Sequence, residues 1–191
     1  MTDDRLWAPW RLEYVTGEET TGRSEPPPEP VAWQPGADPK CFLCRGAATY
    51  DRAAEVDRRV LVAARGPLTL VMLNRYPYNN GHLMVAPLRH VATLAEMTRD
   101  EHLECIDWLA RLTGVLGKLL RAEGFNIGLN LHRAAGAGCP GHLHWHIVPR
   151  WAGDSNFMTV LAGTRVIPQS LDALWELLSD ALQQEKGPAG S

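Results

Sequence analysis

Apolar residues in the first half of the chain fall into short runs separated by turn-forming pairs. The pairs are Gly66-Pro67 and Asn80-Gly81, and the runs are VLVAA at 60–64, LTLVML at 68–73 and GHLMVAP at 81–87. Asn-Gly between two apolar runs is a strong signal for a tight turn between antiparallel strands. The pattern therefore predicts neighbouring antiparallel strands between residues 60 and 87.

A different period begins at Thr98. Thr98 and Glu101 have the spacing of a capping box, in which each side chain accepts a hydrogen bond from the backbone of the other residue. Apolar residues then recur at helical spacing as far as Gly124, at Leu103, Ile106, Ala110, Val115 and Leu119. This spacing predicts one long amphipathic helix over residues 98–123.

Strand-like patterns return after this helix. FNIGLNL at 125–131 and HLHWHIVPR at 142–150 are separated by the small-residue segment AAGAGCPG, and SLDALWELLSDALQQ at 170–184 has helical spacing. The order of strands, helix, strands and helix predicts an α+β fold. It would consist of an antiparallel sheet with one long helix and a C-terminal helix.

The length of 191 residues suits one domain with decorated ends. Residues 17–40 are rich in Pro, Gly and Glu and predict an extended connection. The aromatic segment before it, 1–16, is expected to form an N-terminal arm that docks on the body or on a second subunit. Residues 41–185 are then expected to form a single domain, and residues 186–191 a polar tail.

Composition and charge exclude several classes of protein. Hydrophobic residues make up 45% of the chain and charged residues 21%, and no apolar run approaches the ~20 residues that span a bilayer. The net charge of −3 provides no basic field for nucleic acid. The N-terminus, MTDDRLWAPW, has neither the basic start nor the apolar centre of a signal peptide. We therefore expect a cytoplasmic protein without nucleic-acid or membrane partners.

Two of the four cysteines form the pair Cys41-Phe42-Leu43-Cys44. A disulfide framework is not expected in a cytosolic chain, so this spacing indicates metal binding or redox chemistry. Because the pair lacks the βαβ context of a thioredoxin-like motif, metal binding is the favoured hypothesis.

Three histidines alternate with apolar residues in the segment GHLHWHIVPR. In a strand, His142, His144 and His146 would share one face at intervals of about 6.6 Å, while Leu143 and Trp145 would face the core. Incidental histidines are a poor explanation, because only 7 histidines occur in the whole chain. Alternating histidines on a strand can bind zinc, and a neutral imidazole can attack phosphorus as a nucleophile. The spacing alone leaves both hypotheses open.

These residues resemble the signature of the histidine triad (HIT) family of nucleotide hydrolases and transferases. The signature is His-φ-His-φ-His-φ-φ, where φ is apolar, and HLHWHIV at 142–148 matches it at every position. The segment NRYPYNNGHLMVAPLRHVATLAEM at 74–97 resembles the family's upstream region. That region has Asn or Asp at the end of one strand, Gly-His at the start of the next, and then Pro-x-x-His. The resemblance covers roughly residues 41–150.

Further motifs resemble the bacterial diadenosine tetraphosphate phosphorylase branch of this family. They are LWAPWRLEY near the start, GFNIGLNL, AGAG before the triad, and PRWAGDSNFM and VIP after it. The resemblance implies a HIT-like fold and nucleotidyl transfer from a dinucleoside polyphosphate through a nucleotidyl-histidine intermediate. With inorganic phosphate as the acceptor, diadenosine tetraphosphate would give ATP and ADP. The alternatives are a hydrolase of dinucleoside polyphosphates or nucleoside phosphoramidates, and a non-catalytic module that binds a mononucleotide or dinucleotide.

The resemblance also implies roles for individual residues. The middle histidine, His144, corresponds to the nucleophile, and His146 corresponds to a contact with the α-phosphate or the bridging oxygen. Asn74 matches the family's ribose-binding residue. His82, at the Gly-His position, either assists from the neighbouring strand or packs near the site. Asn130 either orients the phosphate or nucleophile, or bonds to backbone at a strand edge.

The segment before the triad departs from the commoner family pattern, which has Gln and a Ser or Thr there. Gly138 and Cys139 occupy these places here, so the loop offers no hydroxyl to the leaving group. Small residues let backbone N–H groups approach a polyphosphate and leave room for an incoming phosphate. After the triad, Arg150, Asp154 and Asn156 are expected to contact the distal phosphates or to lie in a solvated loop.

The resemblance implies a structural zinc ion as cofactor. Its four ligands would be Cys41, Cys44, the histidine of Pro-x-x-His, His90, and the first histidine of the triad, His142. Such a site would hold His142 rigidly, two residues from the nucleophile. The family resemblance also implies a homodimer that pairs through the long helix and an edge strand.

Overall fold

The computed structural model describes residues 28–154 and 169–184, which form four α-helices, two 3₁₀ helices (Leu94–Glu96 and Arg133–Ala135) and five strands. The helices are α1 (Phe42–Ala47), α2 (Ala53–Val60), α3 (Arg99–Leu120) and α4 (Leu171–Gln184). The strands are β1 (Val62–Arg65), β2 (Thr69–Leu73), β3 (Leu83–Pro87), β4 (Gly124–Leu129) and β5 (Trp145–Arg150). The predicted arm at 1–16, the first part of the connection at 17–40 and the tail at 186–191 lie outside the described residues.

The five strands form one antiparallel sheet in the order β1-β2-β3-β5-β4. This sheet, the long helix α3 and the C-terminal helix α4 confirm the predicted α+β fold. The apolar runs before Thr98 are adjacent antiparallel strands, as predicted. Strand β5, which contains the last histidine of the row, His146, lies inside the sheet between β3 and the edge strand β4.

Strands β2 and β3 are buried on both faces because the sheet separates two cores. On one face, the main core joins the sheet to α3 and α4, and its strand residues include Val71, Leu73, Leu83 and Val85. On the other face, a smaller core joins the sheet to α1, and its strand residues include Leu70, Met72, Met84 and Ala86. Both cores follow from the alternation of side chains along each strand.

The connection between β2 and β3 is longer than the tight turn that Asn80-Gly81 suggested. It spans residues 74–82, and the backbone N–H of Asn74 donates to the carbonyl of His82 at 2.9 Å. Gly81 has a φ of 75°, and a Cβ added there would lie 2.5 Å from Cδ1 of Leu120. The left-handed backbone therefore favours glycine at this position, and a larger residue would also have to displace the side chain of Leu120.

Helix α3 begins at the predicted capping box but ends earlier than predicted. The backbone N–H of Glu101 donates to Oγ1 of Thr98 at 3.2 Å, and the N–H of Thr98 donates to Oε2 of Glu101 at 2.7 Å. The predicted end at residue 123 is wrong, because Arg121 adopts a left-handed φ of 53°. The indole N–H of Trp151 donates to the carbonyls of Leu120 and Arg121 and so satisfies the end of the helix.

The two short helices α1 and α2 were not among the elements predicted from the sequence. Helix α1 has six residues, and Val56 is the one buried residue of α2. The first predicted strand, at 60–64, begins later, at Val62, because Leu61 ends α2 with a left-handed φ of 63°. No helix within the described residues combines the length and apolar character needed to cross a bilayer.

Glu101 joins the start of α3 to the loop that carries His90. Its carboxylate accepts hydrogen bonds from Nε and Nη2 of Arg89 at 2.7 and 2.8 Å, and the residue is 2% exposed. These bonds hold the pKa of Glu101 at about 2. The ionised side chain therefore stabilises the fold above its unfolded-state pKa of about 4.3, and this contribution is lost as the pH falls toward 2.

We expect Glu101→Gln to lower the free energy of unfolding at pH 7 by roughly 2 kcal/mol, because it weakens buried charge-assisted hydrogen bonds. Urea unfolding of both proteins measures this difference. Asp107→Asn, at an exposed carboxylate of the same helix, is the control and should change stability by less than about 0.5 kcal/mol. The difference for Glu101→Gln should shrink from about pH 4.5 downward, and a difference independent of pH would contradict the assignment.

Candidate functional site

The three histidines of the segment 142–146 do not all lie in a strand. Strand β5 begins one residue after His144, so only His146 has strand geometry. The chain before it departs from the sheet because the backbone N–H of Leu143 donates to the carbonyl of Val91 at 2.7 Å. The predicted alternation persists, since Leu143 is buried in the main core and the rings of His144 and His146 lie 4.9 Å apart.

His144 presents a defined ring nitrogen to a pocket on the α1 side of the sheet. Its Nδ1 lies 2.8 Å from the carbonyl oxygen of His142, so Nδ1 carries the proton and donates it. In the neutral ring, Nε2 is then left with a lone pair. Burial lowers the pKa of His144 below its ordinary value, because the imidazolium would lose solvation. The neutral form is therefore favoured at pH 7.

His146 is oriented by a chain of hydrogen bonds that starts at a backbone amide. The N–H of Tyr78 donates to Nδ1 of His82 at 3.0 Å, so in neutral His82 the proton is on Nε2. This Nε2–H donates to Nδ1 of His146 at 2.9 Å, which leaves the proton of neutral His146 on Nε2. Nδ2 of Asn130 lies 3.3 Å from that nitrogen. Because two donors cannot bond each other, this tautomer requires the Asn130 amide to be turned so that its oxygen accepts from the Nε2–H.

These residues meet in one pocket. Its lining includes four of the predicted catalytic or nucleotide-binding side chains, two tyrosines, one methionine of β3 and two glycines of the loop before the triad. These residues are Asn74, Tyr76, Tyr78, Met84, Asn130, Gly136, Gly138, His144 and His146. His82 is fully buried beneath it. The pocket therefore combines one ring nitrogen with a lone pair and several hydrogen-bond donors.

Cys41, Cys44, His90 and His142 form a second group beside the pocket. Their ligand atoms all lie within 4.8 Å of one another. Sγ of Cys44 lies 3.1 Å from Nδ1 of His90, and Sγ of Cys41 lies 3.4 Å from Nδ1 of His142. In a tetrahedral zinc site, Zn–S bonds of about 2.3 Å and Zn–N bonds of about 2.0 Å place S and N about 3.5 Å apart. The group therefore has the composition and spacing of a metal site.

The surroundings of this group orient one of its donor nitrogens and raise the pKa of its two thiols. Nε2 of His142 donates to the carbonyl of Pro87 at 2.9 Å, which directs the lone pair of Nδ1 into the group. Burial raises the pKa of Cys44 to about 12, and a hydrogen bond to Cys139 together with burial raises the pKa of Cys41 to about 12. A cation that binds these thiols must displace their protons, so its affinity falls as the pH falls.

Comparison with known proteins places these features in a family. The HIT domain family model matches residues 55–153. A relative from Mycobacterium tuberculosis (strain H37Rv), AP-4-A phosphorylase, is 39% identical over 176 residues, which cover 92% of this chain and 82% of the relative. This chain belongs to the HIT domain family.

Other relatives agree with this assignment. This chain is 32% identical over 90 residues to the asymmetrical bis(5'-nucleosyl)-tetraphosphatase of Schizosaccharomyces pombe, covering 47% of this chain and 49% of that relative. The crystal structure of a hypothetical histidine triad nucleotide-binding protein from Sulfolobus tokodaii superposes with a TM-score of 0.56 at 22% identity. It covers 69% of this chain and 89% of that one. The match to that structure supports the fold.

Two residues that were predicted to contact the distal phosphates, Arg150 and Asp154, lie away from the pocket. Arg150 is at the far end of β5, four residues beyond His146, which corresponds to roughly 13 Å along a strand. Its guanidinium pairs with the carboxylate of Asp154 and bonds to Asn126 at 2.8 Å. The structure therefore does not bring Arg150 and Asp154 together with the histidines. Strand β5 runs away from the site, and these two residues lie at its far end and beyond it. Asn156 lies outside the described residues.

Sequence reasoning missed Tyr76 and Tyr78 of the HIT domain. Both line the pocket, and the ring of Tyr78 stacks on His82 with centroids 4.6 Å apart. The signal was available, since both lie in the loop between Asn74 and His82, which were themselves predicted. What the sequence does not contain is the fold of the loop, which directs the N–H of Tyr78 to His82.

We expect His144 to be neutral at pH 7, with its proton on Nδ1. Long-range ¹H–¹⁵N correlation spectra of histidine-labelled protein report both properties, and loss of a signal in His144→Asn assigns the residue. The titration midpoint should fall below about 6.5, because burial disfavours the charged ring. A midpoint at or above this value, or a proton on Nε2, would contradict the hydrogen-bond assignment.

Proposed function

We propose that this HIT protein catalyses nucleotidyl transfer from a dinucleoside polyphosphate, with phosphorolysis of diadenosine tetraphosphate to ATP and ADP as its reaction. The observation that carries the proposal is the ring of His144 at the pocket, whose Nδ1 is bonded to the carbonyl of His142 so that Nε2 holds the lone pair of the neutral ring. A neutral imidazole is a competent nucleophile at pH 7 without a separate base. The 39% identity to the M. tuberculosis AP-4-A phosphorylase supports the choice of substrate.

In the first step, Nε2 of His144 attacks the α-phosphorus of one nucleoside. The new N–P bond forms as the bond from phosphorus to the bridging oxygen breaks, and ATP leaves. As charge develops on a phosphate oxygen, the Nε2–H of His146 exchanges its hydrogen bond to Asn130 for one to that oxygen. His82 acts through His146 as a positioning residue, since it is buried and fixes the tautomer of that ring.

The remaining pocket residues hold the nucleotide. Asn74 would bond the ribose hydroxyls, and its Oδ1 accepts a hydrogen bond from the N–H of Tyr76 at 2.9 Å. Asn130 orients His146 or a phosphate oxygen. Gly138 lines the pocket without a side chain, so a phosphate group can approach the backbone of this loop.

The second step decides the products. Inorganic phosphate attacks the nucleotidyl-histidine, the N–P bond breaks, and ADP forms while His144 regains its lone pair. Water in the same role would give AMP, which is the hydrolase alternative. The loop that ends at Gly138 and Cys139 contributes small side chains rather than the family's usual amide and hydroxyl, which favours an acceptor bulkier than water.

Incubation with diadenosine tetraphosphate and ³²P-labelled phosphate tests this reaction. We expect ATP and ADP in equal amounts, with the label in ADP alone. AMP without labelled ADP would instead identify a hydrolase. Tight binding without turnover would identify a non-catalytic module.

We expect His144→Ala to reduce turnover by roughly four orders of magnitude, because it removes the nucleophile while leaving the fold intact. His102→Ala, at a partly exposed histidine of α3, is the matched control and should retain activity. Because only the neutral form of His144 attacks, kcat/KM should fall as the pH drops through its lowered pKa. Retained activity in His144→Ala would contradict the nucleophile assignment.

We propose that Cys41, Cys44, His90 and His142 bind a structural zinc ion. Two thiols and two imidazoles within 4.8 Å suit tetrahedral zinc, and the bond from His142 to Pro87 O prepares the ligand nitrogen. The ion would tie α1 and the loop after β3 to the start of the triad. It would thereby hold the carbonyl that accepts the hydrogen bond from His144.

Protein purified without chelator should contain about one zinc ion per chain by elemental analysis. Cys44→Ser should lose most of this zinc and unfold at a lower temperature, because metal binding contributes to folding. Cys105→Ala is the control, since this cysteine is buried in the main core instead. A zinc content well below one per chain in the parent protein would refute the site.

We further propose that the protein is a homodimer that pairs through α3 and the edge strand β4. Leu103 and Ile106 of α3 are 51% and 50% exposed, and Ile127 of β4 is 44% exposed. Ile127 pairs with Ile147, which lies in the main core, so Ile127 projects on the same side of the sheet as α3. An edge strand next to exposed apolar side chains is a surface that commonly binds another protein chain.

Light scattering during gel filtration should give the mass of a dimer. Ile106→Arg should give a monomer, because a charge would be buried in the interface. Leu177→Arg, at a 44% exposed leucine of α4, should remain a dimer. A monomeric parent protein, or equal effects of both substitutions, would contradict this interface.

A further inference from the structure

Cys139 lies between the pocket and the metal group, which consists of Cys41, Cys44, His90 and His142. Its Sγ is 3.5 Å from Sγ of Cys41. It follows Gly136 and Gly138, which line the pocket, and its carbonyl accepts a hydrogen bond from the N–H of His142 at 3.2 Å. Cys139 therefore contacts both the proposed zinc site and the loop against which a phosphate would lie.

The two thiols differ in access. Cys41 is 5% exposed, whereas Cys139 is only partly buried, so a small oxidant in solution reaches Cys139 first. Cys41 belongs to the metal group together with Cys44, His90 and His142, whereas Cys139 does not belong to it. Cys139 is thus a thiol beside a complete set of four ligands.

We propose that Cys139 and Cys41 form a reversible disulfide when a hydroperoxide oxidises the protein. Their sulfur atoms are 3.5 Å apart, and a disulfide bond of about 2.05 Å requires an approach of only about 1.5 Å. Residues 132–136 and 138 of the loop before Cys139 are exposed, so this part of the chain can supply the movement without disturbing either core.

The chemistry balances in two steps. The sulfur of Cys139 attacks hydrogen peroxide, the O–O bond breaks, and a sulfenic acid and one water form. The sulfur of Cys41 then attacks the sulfenic sulfur, the S–S bond forms, and the S–O bond breaks. The departing hydroxide takes up a proton as a second water. In total, two thiols give two electrons to one peroxide.

The disulfide has two consequences for the site, of which the first rests on the proposed zinc ion. Cys41 is withdrawn from the ligand set, so three donors remain and the metal is released. The loop that carries Gly138 is drawn toward Cys41, and His142 loses a partner of its Nδ1. Because the carbonyl of His142 orients His144, oxidation should also reduce catalysis.

The test uses the full chain as purified, treated with one equivalent of hydrogen peroxide. Non-reducing peptide mapping should identify a Cys41–Cys139 disulfide, and a chromogenic chelator should detect zinc release that dithiothreitol and added zinc reverse. Cys139→Ala should release zinc at least about tenfold more slowly. Cys105→Ala, which removes a buried thiol elsewhere, should behave as the parent protein.

Three results would overturn the proposal. They are a disulfide between Cys41 and Cys44 with Cys139 free, a sulfenic acid on Cys139 that does not proceed to a disulfide, and equal rates of zinc release in Cys139→Ala and the parent. Peptide mapping does not depend on bound metal. If the protein contains no zinc, mapping therefore still decides whether the pair forms, and the failure of the zinc proposal is recognised separately.

Discussion

The hydrogen bond from Nδ1 of His144 to the carbonyl of His142, 2.8 Å long, is the contact on which the site depends. It sets the tautomer of His144 and so decides which nitrogen has a lone pair. It also joins the pocket to the metal group, because the ring of His142 is held by Pro87 on one side and faces the cysteines on the other. The position of the acceptor carbonyl is therefore set by contacts outside the pocket.

A fully buried histidine is costly unless its polar atoms are paired, and the fold meets this condition at each position. His82 accepts from the backbone of Tyr78 and donates to His146. His142 donates to Pro87 and has sulfur neighbours at its other nitrogen. Pairing of this kind assigns one role to each ring nitrogen. The three rings of the triad consequently differ in chemistry although they repeat at regular spacing in the chain.

Several features of the fold and site were predictable because they rest on local patterns. Apolar runs predicted the strands, the capping box predicted the start of α3, and the alternation around His144 predicted opposite faces for histidine and apolar side chains. The metal group was predictable only through the family resemblance, because Cys44 and His90 are far apart in the chain. The early end of α3 was not predictable, since it depends on the indole of Trp151, which reaches the helix from a distant loop.

Residue types, turn signals and periodicity are short-range properties, so the chain alone specifies its strands, its long helices and the histidine row. The tertiary structure decided which of those residues share a site. It brought Tyr78 onto His82, placed Cys139 against Cys41, and left Arg150 at the far end of β5 with Asp154. These outcomes depend on loop conformation and on the direction of each strand away from the pocket. Such distances between remote residues are set by the packing of the whole sheet rather than by any local pattern.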